Sequence, residues 1–521
     1  MKHAWWRGAL AAAGLSLCTL PAFAQTFRSN DPVIRQMWAE GMERSQTERL
    51  AQVLLDSIGP RLSGTSNYQA AADWLVANYR SWGIEARREQ YGTWRGWRRG
   101  PVHADLVAPR QHTLEARFLS WSPGTGGKPV EGDVVALPAL DSPQRVASWL
   151  ASVRGKMVLV SMPEPICREP QAFQAQARPE TYQRWLMDRA ALAQSWRRRW
   201  TTFGDSVAAI ERMEAAGVSA VFTLRWSEGW GANKVFETRT ARVPSLDLSC
   251  EDYGLLYRLA ANNQGPRVRL TAEAELPGTV PMYNVIAEIR GVELPNEYVM
   301  LSAHLDSEHS AQGATDNGTG TITMHEAMRI LKAAYPKPRR TILVGHWGAE
   351  EEGLIGSRAF TEDHADIVDS LQALFNQDNG TWRVENIHTQ GFARAAGNVA
   401  RWVTQLPTEI SEHLGIDLSG TLPEGGSDHA AFSCRGAPGF RLQSPYADYR
   451  QYTWHTNRDT YDKIVFDDLK NNATLAAMLV YLASEDPEHT SRERLRQTPE
   501  PNTGVPREWP PCRPARRSFQ P

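Results

Sequence analysis

The stretch LSAHLDSEHSAQGATDNGTG, residues 301–320, decides the fold. It begins as the end of an apolar run, Glu297-Tyr-Val-Met-Leu-Ser-Ala, which stops at His304 and gives way to small and polar residues. A short apolar run of this kind reads as a strand covered on both faces, and open α/β sheets bind their ligands beyond the carboxyl ends of such strands. Reading outward, further apolar runs alternate with helical periodicity from 282 onward: Tyr283-Asn-Val-Ile-Ala-Glu-Ile, a helix over 319–334, Arg340-Thr-Ile-Leu-Val-Gly-His-Trp, a helix after Gly356, and Leu371-Gln-Ala-Leu-Phe-Asn. That alternation predicts an α/β fold whose sheet carries helices on both faces. Upstream, 28–57 and 65–83 have helical periodicity on either side of the turn Gly59-Pro-Arg-Leu-Ser-Gly. From about 128 to 275, short runs such as Gly155-Lys-Met-Val-Leu-Val and Val218-Ser-Ala-Val-Phe predict a smaller, β-rich inserted domain. Its segment 179–215 is rich in Trp and Arg, and reads as an amphipathic helix that buries aromatics and solvates arginines. Beyond 487, Pro and Arg dominate and predict an extended, partly disordered tail.

The decisive stretch also carries chemistry. His304 stands where a strand end would present a metal ligand, and Asp306, two residues on, points the same way and can accept the other imidazole N–H. Asp316 comes later, in a Gly-rich loop where little bulk lets a carboxylate approach a metal pair and bridge it. A histidine alone at such a place is as often structural as ligating; two nearby carboxylates tip His304 toward a ligand. The second cluster, TILVGHWGAEEEGLIGSRAF at 341–360, runs another apolar strand into Glu350, Glu351 and Glu352. Adjacent carboxylates at a buried strand end are costly unless cations compensate. A solvated acidic turn fits less well, because Gly-Leu-Ile-Gly-Ser comes at once and starts a helix. Hydrolysis at a metal needs one carboxylate on the ion and a neighbour free to take a proton from water.

Asp378 ends the strand that begins at Leu371, and His455 lies in Tyr452-Thr-Trp-His-Thr-Asn-Arg-Asp-Thr-Tyr-Asp. Between them, Gly425-Gly-Ser-Asp-His-Ala-Ala-Phe offers Asp428 and His429, either as ligands or as a hydrogen-bonded pair that shapes the pocket wall. His325-Glu326 is no zincin helix, since position 329, where a second histidine is required, holds Arg329.

The pieces LSAHLDS, GATDNGTG, WGAEEEGLIGS, FNQD, GGSDHAAF and WHTNRDTYD resemble the di-zinc aminopeptidase family of peptidase clan MH. Gly59-Pro-Arg-Leu-Ser-Gly and the intervening small domain are most similar to its carboxypeptidase Q (plasma glutamate carboxypeptidase) branch, and the likeness spans about 45 to 485. The resemblance implies a mixed sheet of the zinc exopeptidase, phosphorylase/hydrolase-like type. Together with the leader and the tail read from composition, it divides the chain into a signal peptide (1–24), an N-terminal part of the peptidase domain (25–127), a protease-associated-like insertion (128–275), a catalytic metallopeptidase domain (276–487) and a Pro/Arg-rich tail (488–521). It further implies two Zn2+ per chain, bridged by Asp316, with His304 and Asp378 at the first ion and Glu351 and His455 at the second. Glu350 falls at the general base, Glu352 is a bystander, Asp306 supports catalysis, and Asp316–Asn317 is expected to be a cis peptide. Trp454, Tyr452 and Asp428 are the substrate-binding residues on this reading. Some members place a tyrosine directly before the last histidine to hold the carbonyl oxygen; Trp454 has no hydroxyl, and Tyr449 or Tyr452 could take its place.

The expected activity is an exopeptidase acting on dipeptides and short peptides. A carboxypeptidase acting on longer chains would need a basic residue such as Arg441, Arg450 or Arg458 on the substrate carboxylate. A glutaminyl-cyclase-like enzyme, or a binding protein that has lost its metals, fits the complete ligand set less well. Composition agrees with a globular hydrolase. The 521 residues hold 41% hydrophobic and 22% charged residues, and 57 Lys plus Arg against 59 Asp plus Glu give a net charge of −2. That balance gives no reason to expect nucleic acid or an anionic membrane as partner; a peptide substrate is expected, and a homodimer stays open. Lys2 and Arg7, an apolar run from about Ala9 to Leu20, and Ala22-Phe-Ala predict a signal cleaved after Ala24 and a periplasmic or secreted destination. The mature chain then keeps Cys167, Cys250, Cys434 and Cys512. Spacing does not fix their pairing, though Cys167 and Cys250 share the inserted segment.

Overall fold

The computed structural model describes residues 29–417, 425–495, 498–499 and 505–519; the signal peptide expected at 1–24 lies outside them. The apolar run into His304 forms the strand Leu294–His304, parallel to Arg340–Trp347 on one side and to Leu371–Asn376 on the other. Those three strands sit inside an eight-stranded mixed sheet. Its order is Glu85–Arg95, Thr279–Ile289, Arg340–Trp347, Leu294–His304, Leu371–Asn376, Gly439–Gln443, Asn386–His388, Gly415–Asp417.

Side chains of successive strand residues point to opposite faces, and the core divides accordingly. Val299, Leu301, Ala303, Ile342, Val344, Ala373 and Phe375 belong to one apolar cluster, while Met300, Leu343 and Leu374 belong to another. The first face is covered by the helices Thr319–Ala334 and Phe466–Glu485, both buried over most of their length. The second is covered by Phe360 of the helix Ile355–Asp363 and by Ala431 and Phe432 of His429–Ser433. A sheet buried on both faces explains why its central strands read as continuous apolar runs.

A second eight-stranded sheet has the order His112–Thr113, Arg98–Ala108, Arg267–Glu275, Val130–Ala136, Met157–Leu159, Ala220–Thr223, Ser245–Leu248, Ala116–Phe118. Arg98–Ala108 and Ala116–Phe118, upstream of residue 128, are thus paired into this sheet. The helix Pro179–Phe203 packs on it, burying Trp185 and Trp196 and leaving Arg197 and Arg198 exposed. Cys167 is bonded to Cys250 within this layer, and Cys434 to Cys512 of the tail. Of the tail, residues 505–519 are extended, as its composition suggests, and tied down. The Arg517 guanidinium pairs with Glu362 and Asp363, its carbonyl accepts from Thr93 N–H at 2.8 Å, and Phe519 meets Trp94. Among the described residues, no helix is long and apolar enough to cross a membrane.

Candidate metal centre

The register of the three parallel strands places His304 opposite Trp347, and Ser302 opposite Asn376. Their carboxyl ends are therefore level, and the side chains at and just beyond those ends converge: His304 itself, Glu350 and Glu351 after the second strand, and Asp378 after the third. Two donor groups result, His304 with Asp316 and Asp378, and Asp316 with Glu351 and His455. Asp316 is common to both. Its Oδ1 lies 3.6 Å from His304 Nε2 and its Oδ2 3.4 Å from His455 Nε2. His304 Nε2 is also 3.3 Å from Asp378 Oδ1, and His455 Nε2 is 2.9 Å from Glu351 Oε2. All five residues predicted as ligands are brought together.

The backbone around them is held in unusual conformations. Asp316–Asn317 is cis, and His455 has φ 60°, a left-handed conformation that costs a non-glycine residue roughly 1–2 kcal/mol. Ala349 (φ 56°) and Leu354 (φ 61°) bracket the glutamate run and turn it sharply back over the strand end. Gly313 opens the bridging loop at φ 60°, and a Cβ there would collide with Ser307.

The donor set fits a pair of metal cations. Asp316 Oδ2 and Glu351 Oε1 are buried without a hydrogen-bond partner, and such atoms are rare in a folded interior unless something fills the gap. Burial, opposed by His304 and reinforced by Asp378, Asp428 and Glu351, pushes Glu350 well above the ordinary carboxylate range. Burial and then Asp316 and Glu308 do the same to Glu351. Although burial works against a charge on His304, Asp378 and Glu350 outweigh it and lift the imidazole well above its usual pKa. Asp378 goes the other way, held down at about 2 against burial by His304 and Arg441. The cluster calls for positive charge at its centre, and the imidazole and carboxylate donors suit zinc.

Asp306 acts differently from the sequence reading. His304 Nδ1 faces the Asp306 backbone carbonyl at 3.0 Å, while the Asp306 carboxylate, 3.7 Å from that nitrogen, accepts from the backbone N–H groups of Glu350 (3.1 Å) and Glu351 (3.2 Å). It positions the glutamate turn. Asp428, read from sequence as substrate-binding, has no accessible surface. It sits in the field of His304 and Asp378 beside Ser357, and burial lifts it to about 7; a carboxylate so enclosed is not one a substrate can touch. Tyr452 is 42% exposed and lines a separate hollow with Phe173, Glu228 and Trp230. Tyr449 is the tyrosine at the centre: buried, and in the field of Asp316, Asp378 and Glu351, its phenol is raised well above the usual value. Trp454 packs 4.2 Å from the His455 ring, tilted by 41°.

Three residues escaped the sequence reading. Asp459 accepts from Thr315 N–H at 2.7 Å and Asp316 N–H at 3.1 Å, fixing the bridging carboxylate from behind. Glu308, lifted to about 7 by burial against the pull of His455, accepts from Ser120 Oγ at 2.5 Å. Arg61 is fully buried and donates to the carbonyls of Leu305 (2.8 Å), Gln312 (2.7 Å), Gly313 (2.9 Å) and Gly59 (3.2 Å). Burial pulls this guanidinium down to about 10, with Asp459, Asp306 and Asp316 opposing. It pins both ends of the 305–313 loop that leads to Asp316. Arg61→Met leaves those buried carbonyls without donors, at about 1–3 kcal/mol for each group left unsatisfied. The variant should therefore melt earlier and hold metal less tightly, with Arg61→Lys intermediate. Thermal unfolding together with metal analysis checks this; a wild-type midpoint and full metal in Arg61→Met would refute the clamp.

The sequence model of peptidase family M28 matches residues 284–480, which include all five donors. Carboxypeptidase Q of Rattus norvegicus is 26% identical over 448 residues, covering 84% of this chain and 85% of its own. Among solved structures, a peptidase M28 precursor from Shewanella amazonensis superposes with TM-score 0.63 at 24% identity, over 88% of this chain and 97% of its own. BSAP, a zinc aminopeptidase from Bacillus subtilis, gives 0.55 at 19% identity, over 86% and 96%. At those identities the structural likeness speaks for the fold.

Proposed function

We propose that this chain, whose residues 284–480 match the model of peptidase family M28, is a zinc-dependent exopeptidase of that family and hydrolyses dipeptides and short peptides with a free amino terminus, at a centre for two zinc ions. The observation that carries the reading is the sharing of Asp316: one oxygen faces each histidine, so a single carboxylate serves both donor groups. His304, Asp316 and Asp378 would hold one ion, and Asp316, Glu351 and His455 the other. Zinc bound there supplies Lewis acidity, which acidifies water and polarises the scissile carbonyl.

The chain's own residues do the rest. Glu350 belongs to neither donor group, and its backbone N–H is fixed by Asp306. Its carboxylate is free to take the proton from the attacking water and return it to the leaving amine. Tyr449 offers the hydroxyl that Trp454 lacks, from the same carboxylate field. Carboxylates such as Glu308, beside His455, are suited to the substrate's ammonium.

The second layer closes over the His455 side and limits the length of chain admitted. Val235 N–H donates to the His455 carbonyl at 2.9 Å, Asn457 N–H to the Asn233 carbonyl at 3.0 Å, and Phe236 lies 4.8 Å from the His455 ring. Export to the periplasm or beyond is part of the proposal. It is supported by the leader read at 1–24 and by two disulfides, which persist in oxidising compartments.

A site that binds an ammonium through buried carboxylates loses several kcal/mol when the amine is acylated, because the carboxylates are left unpaired. N-acetylation of a good dipeptide should therefore abolish turnover, and lengthening it by three residues should slow it. Comparing kcat/KM for the three peptides tests the reading. Undiminished cleavage of the N-acetyl form would replace it with carboxypeptidase action.

A further inference from the structure

A cavity of about 750 Å3 lies in the second layer and ends at Trp454. Its wall at that end carries Arg225, Lys234 and Phe236. Arg225 Cζ stands 4.3 Å over the Phe236 ring and Lys234 Nζ 4.7 Å over the Trp454 ring. Both rings pack against His455, at 4.8 and 4.2 Å. The two cations are thus each one aromatic ring away from a donor of the metal centre.

Neither cation forms an ion pair among the described residues. Asp247 and then Glu308 act on Arg225, and Glu228 on Lys234, only at longer range; Asp247 accepts from the Arg225 backbone N–H, not from its guanidinium. The acidic residues of the same cavity are engaged elsewhere: Glu164 is paired with Arg189 at 2.7 Å and Glu237 with Arg95 at 2.5 Å. Lys234 gives one N–H to the Arg450 carbonyl at 3.0 Å and keeps two. Burial, opposed by Glu228 and aided by Arg450 and Arg225, draws its ammonium down to about 8. A half-buried cation without a counterion beside a reaction centre is a site for an anion. Of the arginines that sequence alone offered for this role, Arg450 is exposed and lies over the Tyr446 ring at 4.8 Å and farther, at 5.8 Å, over Trp454, and the other two are committed. Arg441 donates to the Asp378 carbonyl and to the Tyr446 hydroxyl, and Arg458 to the Gly231 carbonyl.

We propose that Lys234 and Arg225 form a carboxylate-reading subsite, so that preferred substrates carry a carboxylate one or two residues beyond the scissile bond. At about 3.3–3.6 Å per extended residue, one or two residues reach roughly past a single ring. The C-terminal carboxylate of a di- or tripeptide, or an acidic side chain, supplies the anion. This rests on the peptidase reading above and narrows it.

The test is the ratio of kcat/KM for a dipeptide to that for its C-terminal amide. A lost charge-assisted hydrogen bond lowers the amide about 10- to 100-fold in the wild type. Lys234→Gln and Arg225→Gln should bring the ratio toward one, Lys234→Arg should restore most of it, and Arg458→Gln should keep the wild-type ratio. Comparing glutamyl with glutaminyl residues in amidated peptides tells an acidic side chain from a C-terminus as the source. Calorimetry with the full mature chain bearing Glu350→Gln measures the same acid-to-amide preference as binding, with and without Lys234→Gln. If wild type cleaves no peptide, the peptidase reading falls and the calorimetric preference alone decides this one. If peptides are cleaved but the ratio is near one, or is unmoved in both glutamine variants, only the subsite is overturned.

Discussion

Glu350→Gln should lower kcat by at least ~10²-fold while the protein keeps its zinc. The amide is isosteric and keeps the turn, because Asp306 holds the backbone N–H groups of residues 350 and 351, not their side chains. The substitution removes a carboxylate that belongs to no donor group, stands in the field of His304 and Asp378, and can carry a proton. The neighbours should behave differently. Glu351 Oε2 lies 2.9 Å from His455 Nε2, so Glu351→Gln should weaken metal binding at the group shared by Asp316 and His455. Glu352 accepts from Ser63 Oγ at 2.8 Å. An amide oxygen can accept the same bond, so Glu352→Gln should stay close to wild type. Steady-state kinetics alongside zinc analysis of the three variants distinguishes these roles. Equal, mild losses at all three positions would mean an acidic turn with no assigned chemistry.

The donors were legible in the sequence because the fold presents them at the ends of apolar strands. His304, the glutamates after Trp347 and Asp378 after Asn376 each stand at the end of a run buried on both faces, and level strand ends make such residues neighbours. Asp316 is marked by its Gly-rich loop, whereas the role of His455 comes from the resemblance, since nothing in the spacing of a loop tells where it folds back.

Residues that act through backbone groups left no mark. Arg61 was visible only as part of a turn, yet it binds carbonyls some 250 positions away, and any arginine in a polar loop looks the same. Asp459 could not be told from Asp462, which is exposed and pairs with Lys463. Arg98–Ala108 lacks a clean alternation and pairs with residues beyond 266, so its place in the second sheet is a non-local fact. The tail has no periodicity because a disulfide and ion pairs, not an apolar stripe, fasten it. His325 was rightly separated from the metal chemistry: it is buried against Tyr79 and Trp82, both at 4.6 Å.

The proposed chemistry turns on two ions sharing one carboxylate. Structural zinc and its protein ligands bind as a unit, and losing a bridging ligand opens both sites at once. Asp316→Ala should therefore deplete both donor groups, where Asp378→Ala or Glu351→Ala depletes mainly one. The decisive measurement is the zinc content of the purified mature chain and of Asp316→Ala, by elemental analysis after equilibration with excess metal and removal of the unbound fraction. A shared bridging carboxylate predicts close to two per chain in the wild type and a loss of both in the variant, with loss of peptidase activity. A wild-type content near one that is unchanged by Asp316→Ala would contradict it.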